Sequence, residues 1–352
     1  MNIGIDVSPL KYGNFIQHRV RGTGFYIENL KSSLLKYYPD NKYTFFTRGE
    51  KLPKIIDLAH YPYFEPFFLT LPFFSKYKTV VTVHDLTPLV FPNYFPKGTK
   101  GWLKWQIQKM SLMKADAIIT DSESSRRDIV KHTGINENKI HVVYLSVNEK
   151  FKKLKSGKWE AEIRNKYNLP DKFILYVGDV TWNKNLPTLI NAVKKVNINL
   201  VLIGKALLSE NFDKKNPWNQ DLKKVHDLIK NDKKFIRLGF VEIENLVALY
   251  NIATAFVMPS LYEGFGLPIL EAMSCGCPVI SSKEGSIPEV GGNAVFYVDA
   301  FDIDSIASGI KKVFFDINLQ KHLSEKGLLR ARKFSWEKTT SDTLKAYRQV
   351  LK

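Results

Sequence analysis

Two doubly wound α/β domains, each a parallel sheet flanked by helices, are what this sequence predicts. A chain of 352 residues exceeds what one ordinary hydrophobic core encloses. It contains two successive series in which short apolar strand candidates alternate with helical stretches, the pattern of Rossmann-like sheets. One stretch, Ala253 to Val279, also joins a buried-strand run to a glycine turn and a helix start. Open α/β sheets bind ligands at such junctions.

In the first series, Asn2–Val7 reads as a buried first strand. A long loop follows, ending Arg21-Gly22-Thr23-Gly24-Phe25, and an amphipathic helix is expected over Phe25–Tyr38. The glycines do not make a dinucleotide fingerprint, because the third glycine would fall at Ile27. A loop capped by Thr23 is their plain structural reading. Further strands are expected at Lys42–Thr47, Leu58–Tyr61, Thr79–His84, Ala117–Asp121 and Lys139–Leu145. Helices are expected over Gly98–Lys114 and Ser122–His132, the second capped by Ser122 with Ser125 at its third position. His84 ends its strand on the side where such sheets bind ligands, although a lone histidine is also a common structural residue.

The lysine-rich residues near 150–170 are read as the interdomain linker, which divides the chain into 1–160 and 161–334, with a closing helix over 335–352. The second series places elements at Phe173–Val177, Leu186–Val196, Leu200–Ile203, Leu222–Ile229, Phe235–Leu238 and Leu246–Asn251. Ala255–Met258 then has the length and apolarity of a buried strand. After Gly264-Phe265-Gly266-Leu267, Pro268 suits the first turn of a helix, and Gly276 suits its end. Glu263 and Glu271, eight positions apart, flank this turn. Two solvated surface charges would explain them. However, Glu263 sits at a strand's carboxyl end, and Glu271 lies among apolar residues where an ionised group needs a partner. With glycine amides and a helix N-terminus nearby, the arrangement suits a sugar joined to a phosphate.

The run Glu263-Gly-Phe-Gly-Leu-Pro-Ile-Leu-Glu271-Ala-Met-Ser-Cys-Gly-Cys-Pro-Val-Ile resembles the E-x7-E signature of retaining glycosyltransferases of family 4. These enzymes have the GT-B fold, two Rossmann-like domains facing a cleft. The resemblance implies that Glu263 orients the donor hexose and Glu271 holds the ribose hydroxyls. It implies that Gly264, Phe265, Gly266 and Leu267 offer amides to sugar and diphosphate. Other blocks agree. Gly22, Thr23 and Gly24 match a glycine pair used near the diphosphate and acceptor, and His84 matches a histidine that contacts the donor sugar. In Tyr176-Val-Gly-Asp-Val-Thr-Trp-Asn-Lys-Asn, Lys184 matches the lysine that meets the diphosphate, with a solvated surface lysine as the alternative. The preceding position, often arginine in the family, is Asn183 here. Gly239 and Phe240 match the nucleobase pocket. Phe334-Ser-Trp-Glu-Lys opens a helix that in this fold crosses back to the first domain.

Composition narrows the class. Hydrophobic residues at 44% and charged ones at 25% describe a globular protein in water. The formal charge of +17 is spread along the chain, since residues 1–150 hold 21 Lys and Arg against 13 Asp and Glu. Such a balance favours anionic substrates or surfaces, or reflects a basic host proteome. Cys275 and Cys277 are too few for a disulfide framework and read as buried apolar residues rather than half of a metal site. Asp302-Ile-Asp304 has the form of a metal–nucleotide signature, but helix capping by Asp302 explains it more simply, so no metal is expected. No targeting segment is visible, and the apolar stretch Tyr61–Phe74 is too broken to cross a bilayer, so a cytoplasmic enzyme is expected. The aromatic segment Tyr61–Tyr77 and the helix Trp102–Met113, with Lys104, Trp105, Lys109 and Lys114, suit an anionic membrane interface. An ordinary core with a basic rim is the alternative.

The expected function is a retaining, metal-independent glycosyltransferase without a cofactor, whose donor is a GDP- or UDP-sugar. Its expected acceptor is a glycan or polyprenyl-linked molecule. The His-Asp-Leu-Thr-Pro and Arg-Gly-Thr-Gly-Phe-Tyr blocks resemble bacterial mannosyltransferases and point towards mannose from GDP-mannose. Two other readings remain open. One is an epimerase or phosphorylase on the same fold. The other is a non-catalytic basic protein binding membranes or nucleic acid, which the set Glu263, Glu271 and Lys184 argues against; no nucleic acid is expected as partner.

Overall fold

The computed structural model describes residues 1–10, 20–50, 52–53 and 55–352, with the side chains of Val20 and Arg21 outside the description. The chain divides into two compact units, Met1–Ser146 with Phe334–Lys352, and Val147–Lys333.

In the first unit, strands β1 (Asn2–Asp6), β2 (Lys42–Phe46), β3 (Leu58–Tyr61), β4 (Lys78–Thr82), β5 (Ala117–Thr120) and β6 (Ile140–Val142) form one sheet in the order β2-β1-β3-β4-β5-β6. Every pairing is parallel. β3 and β5 are buried along their whole length, as expected of strands covered by helices on both faces. The order reverses between β1 and β3, which makes a crevice at that end of the sheet. The helices between the strands are α1 (Val20–Tyr37), α2 (Thr87–Val90), α3 (Gly98–Met113) and α4 (Glu123–Thr133). α4 starts where its sequence predicts: Ser122 Oγ accepts from the Ser125 amide at 3.0 Å.

α1 differs from expectation. It begins at Val20, so Gly22, Thr23 and Gly24 lie in its opening turns and not in a loop ahead of it. Two glycines cost a helix about 1 kcal/mol each, but Thr23, Tyr26 and Ile27 are buried, and that packing decides the start. The remaining part of the expected loop, residues 11–19, lies outside the described residues.

The second unit begins with α5 (Trp159–Tyr167), inside the segment expected to be a linker. Its lysines and glutamates hide an ordinary packed helix whose Ile163 is buried. The segment ahead of it is also tied down, since the Leu154 amide donates to Asn251 Oδ1 at 2.8 Å and Asn251 Nδ2 donates to the Lys152 carbonyl at 3.0 Å. Next come β7 (Ile174–Val177), α6 (Leu186–Val196), β8 (Leu200–Ile203), α7 (Gln220–Ile229), β9 (Phe235–Gly239), α8 (Ile243–Ile252) and β10 (Ala255–Met258). The series ends with α9 (Leu267–Ser274), β11 (Val279–Ser281), α10 (Ile287–Gly291), β12 (Val295–Tyr297), α11 (Ile303–Phe315) and α12 (Ile317–Ala331). The sheet order is β12-β11-β10-β7-β8-β9, again all parallel. The order reverses between β7 and β10. Asp302 caps α11, its Oδ1 accepting from the Asp304 amide at 2.8 Å.

The final helix, α13 (Trp336–Val350), belongs to the first unit. Trp336 meets Phe25 of α1 edge-on with ring centroids 6.1 Å apart. Tyr347 reaches the unit's buried polar centre, where its hydroxyl lies 2.6 Å from His60 Nδ1. The other ring nitrogen of His60 lies 2.8 Å from Thr82 Oγ1. His60 is fully buried, and that burial lowers its pKa to about 3, so the ring is neutral.

Candidate active site

The reversal between β7 and β10 brings two loops together. The loop after β7 carries a tight turn, Trp182–Lys184, and the loop after β10 carries Glu263. Lys184 Nζ donates to both carboxylate oxygens of Glu263, at 2.8 Å each. Glu263 is the more enclosed partner, its side chain 8% exposed against 21% for Lys184.

Neighbouring residues hold this pair in register. Asn183, where the family often has a cation, is a buried brace. Its Nδ2 donates to the Tyr262 carbonyl at 3.0 Å, its Oδ1 accepts from Thr181 Oγ1 at 2.7 Å, and its carbonyl accepts from the Leu261 amide at 2.7 Å. Asn185 continues the clamp, Nδ2 donating to the carbonyls of Pro259 and Ala300 at 3.1 and 2.7 Å. From the loop after β11, Ser286 Oγ donates to the Glu263 carbonyl at 2.9 Å. Gly285, at φ +60°, packs so closely that an added Cβ would lie 2.7 and 2.9 Å from backbone atoms of Glu263. Of these braces the sequence marks only Asn183, and as a departure from the family rather than as a brace. A Gly-Ser pair and buried asparagines are weak signals until the loops they join are known.

Gly264 and Phe265 are buried in the turn that follows. Gly266, at φ +96°, is the residue from which α9 starts, Leu267 is the first helical residue, and Pro268 sits in the opening turn as expected. Glu271 does not join the Lys184–Glu263 pair. Its Oε2 accepts from the Tyr250 hydroxyl of α8 at 3.0 Å. Part of Glu271 reaches solvent, yet its surroundings are apolar enough that burial raises its pKa to about 7, against the lowering effect of the Tyr250 hydrogen bond. A carboxylate poised there accepts hydroxyls in its ionised form only above that pH. Tyr250 is thus the hydrogen-bond partner of Glu271, and nothing in its local sequence marked it.

Gly239 ends β9 in the left-handed region at φ +64°, and a Cβ there would meet the Leu208 side chain at 2.5 Å. Phe240 follows, 59% exposed. An exposed aromatic ring there suits stacking on a flat ligand.

In the first unit, His84 follows β4 and its Nδ1 lies 2.7 Å from Asp121 Oδ2, at the end of the neighbouring strand β5. Gly22 is exposed with open space where a side chain would be, whereas Thr23 and Gly24 are buried. The basic–aromatic region needs one correction. Trp105 is a core residue, 7% exposed, because it lies on the face of α3 that packs inward with Gln108 and Leu112. The opposite side of α3 is apolar too: Trp102, Leu103, Met110 and Met113 are exposed. Beside it, Phe74 is 80% exposed and Lys114 Nζ lies 4.0 and 4.7 Å from the Phe73 and Phe74 ring centres. Among the described residues, no helix is long and apolar enough to cross a membrane.

Two parallel α/β units, with an acid–lysine pair at the strand reversal of the second, have the two-Rossmann-domain make-up of GT-B proteins. Residues 158–330 match the model for glycosyl transferases group 1, and residues 15–151 match that for glycosyltransferase family 4. The O-antigen chain mannosyltransferase B of Escherichia coli is 32% identical over 77% of this chain and 70% of its own length. The serotype-specific mannosyltransferase WbdA of the same species is 29% identical over 78% of this chain, which spans about a third (34%) of that longer protein. Among solved structures, Anabaena HepE in complex with UDP and glucose shares the fold, with a TM-score of 0.72, 15% identity, and coverage of 99% of this chain and 100% of that one. The chain therefore belongs to glycosyltransferase family 4 and is a glycosyltransferase.

Proposed function

We propose that this enzyme moves a hexose, preferentially mannose, from a nucleoside-diphosphate sugar to a glycan or lipid-linked acceptor in cell-surface polysaccharide synthesis. The reaction retains configuration and uses no obligatory metal. The observation that carries this reading is the Lys184–Glu263 contact at the β7/β10 reversal, an acid and a cation at one point. Glu263 orients the hexose, and Lys184 offsets the charge that grows on the leaving diphosphate. Amides of residues 264–267 and the start of α9 face the same anion. Glu271 accepts the ribose hydroxyls, Gly239 and Phe240 flank the base, and His84 serves the donor sugar. Gly22, Thr23 and Gly24 serve the acceptor side. The acceptor oxygen bonds to the anomeric carbon on the face from which the diphosphate departs, and its proton passes to a leaving phosphate oxygen. The names of the E. coli relatives support mannose, and UDP in the HepE structure makes both UDP- and GDP-sugars the donors to compare.

The test is a thermal-shift panel of UDP, GDP and ADP with their sugars, followed by nucleotide release with and without acceptor. Release that needs an acceptor, and that falls at least a hundredfold in Glu263→Ala and Lys184→Ala, is expected. Release without an acceptor would point to an epimerase or phosphorylase. A shift with heparin and none with nucleotides would sink the enzyme reading.

We also propose peripheral attachment to anionic membranes through the exposed face of α3 and the neighbouring Phe73–Phe74. Apolar residues ringed by Lys100, Lys104, Lys109 and Lys114 suit that interface. Trp102→Ser with Phe74→Ser should abolish flotation with anionic liposomes at low salt. Absence of flotation in the unmodified protein would remove the idea.

A further inference from the structure

We infer that Asp121 is a positioning residue for His84: its carboxylate clamps Nδ1, so the ring presents Nε2–H as a fixed donor to a hydroxyl of the sugar substrate. This rests on the transferase reading above. The clamp itself is a matter of geometry. Asp121 is buried, its side chain 4% exposed, and among the described residues its side-chain hydrogen bond is to His84. A buried carboxylate held in this way is costly, and the ordinary reason for an aspartate here is missing. It does not cap α4, because Ser122 does so. Among the described residues, its second oxygen, Oδ1, is buried without a hydrogen-bond partner.

The ring is fixed from several sides. Ser125 Oγ, from α4, donates to the His84 carbonyl at 3.0 Å and holds the backbone. Tyr26, from α1, packs edge-on against the ring with centroids 4.8 Å apart, while its hydroxyl lies 3.3 Å from Thr82 Oγ1. His60, from β3, is neutral and occupied by Thr82 and Tyr347. Among the described residues, Nε2 is buried without a hydrogen bond of good geometry. The groups beside the ring, Asp121, Asp85 and the Pro62 carbonyl, are all acceptors that favour a proton on it. Burial opposes the imidazolium, but these acceptors outweigh it, and the pKa of His84 is raised above 6.5. With Nδ1–H given to Asp121, Nε2–H, on the side of the Pro62 carbonyl, is the ring's remaining donor for a ligand.

Two roles for Nε2 separate cleanly in Asp121→Asn. An amide can donate to Nδ1 and so leave a neutral ring with hydrogen on Nε2, which preserves a donor and destroys a base. The unmodified enzyme should hold kcat/KM for the donor constant at low pH and lose it as the pH rises through the His84 pKa. Asp121→Asn should lose about tenfold, with that alkaline limb gone, because without the carboxylate burial keeps the ring neutral. Nitrogen NMR of the His84 ring should show titration above 6.5 in the unmodified protein and below it in Asp121→Asn. His84→Gln, which leaves Asp121 intact and keeps a donor, should exceed His84→Ala by about tenfold, and Asp121→Asn should cost little more once His84 is Ala. Melting curves check that each variant folds.

A thousandfold loss in Asp121→Asn would assign Nε2 to proton removal and overturn the inference. So would an unmoved pH profile, or additive losses with His84→Ala. Failure of the unmodified enzyme to turn over any donor would remove the transferase reading and the sugar-donor role with it, while the NMR titration would still report the clamp.

Discussion

Replacing Tyr250 with phenylalanine should shift the pH at which this enzyme binds its donor. Glu271 titrates at about 7 because burial disfavours its charge, and the Tyr250 hydroxyl, 3.0 Å away, works in the opposite direction. On the proposed role in ribose binding, donor affinity should be constant above pH 7. Below that it should fall by up to about tenfold per pH unit, because the carboxylate must first lose its proton. A hydrogen bond to a charged group is worth about 1.5–3 kcal/mol in isolation. Glu271 is partly open to water, so the lower end applies and corresponds to roughly one pH unit. Tyr250→Phe should therefore move the break upward by about one unit. Affinity at pH 7 should drop several-fold, and at pH 8.5 it should approach that of the unmodified enzyme. Glu271→Gln should give a flat profile at about tenfold lower affinity. Isothermal titration calorimetry with the preferred donor between pH 5.5 and 8.5 measures all three profiles. A flat unmodified profile, or a break that stays in place in Tyr250→Phe, would refute the reasoning.

Three further outcomes follow from the packing. Gly285→Ala places a Cβ within 3 Å of two Glu263 backbone atoms in a left-handed conformation. It should lower stability by about 1–3 kcal/mol and reduce turnover more than donor binding, as melting and steady-state kinetics would show. Asn183→Arg, which restores the residue often found in the family, should destabilise the enzyme and not improve it. The buried amide joins Thr181 to Tyr262, and an arginine there loses both bonds; a melting temperature at or above the unmodified value would contradict this. His60, neutral in the fold with a pKa of about 3 against 6.5 when unfolded, stabilises the first unit fully above pH 6.5. That stability is lost as the pH falls towards 3, at up to about 1.4 kcal/mol per unit. Denaturant melts at pH 7 and pH 5 should differ accordingly, and His60→Asn should flatten the difference.

The regular elements were legible because strands buried on both faces are apolar throughout. β3 and β10 coincide with the predicted Leu58–Tyr61 and Ala255–Met258. Where expectation and structure part, composition misled. Lysines at 150–170 suggested a linker, yet a helix needs one buried stripe to be held, and Ile163 supplies it. Glycines at 22 and 24 suggested a loop, yet burial of their neighbours extends α1 through them. Trp105 suggested an interface because a single helix can be apolar on two sides, and sequence alone does not say which side packs inward.

The site was half legible for a different reason. Motif positions such as Glu263 and Lys184 are visible one at a time, but their pairing spans 79 residues and depends on β10 lying beside β7. The same holds for Asp121 and His84, 37 residues apart. Asn183 shows what such pairing decides. As a sequence position it is a missing cation, whereas in the fold it is the amide that holds the Glu263 loop against the Lys184 turn. The charges of Lys184 and Glu263 then largely cancel in the free enzyme. On the proposed mechanism, positive potential for a diphosphate comes from the amides of residues 264–267 and from the start of α9, which are fixed in place and need no rearrangement as charge develops. On the same proposed mechanism, sugar hydroxyls that engage Glu263 would release Lys184 towards the phosphate. Cation delivery would then be tied to the presence of the correct substrate, which a second, permanently available arginine would not do.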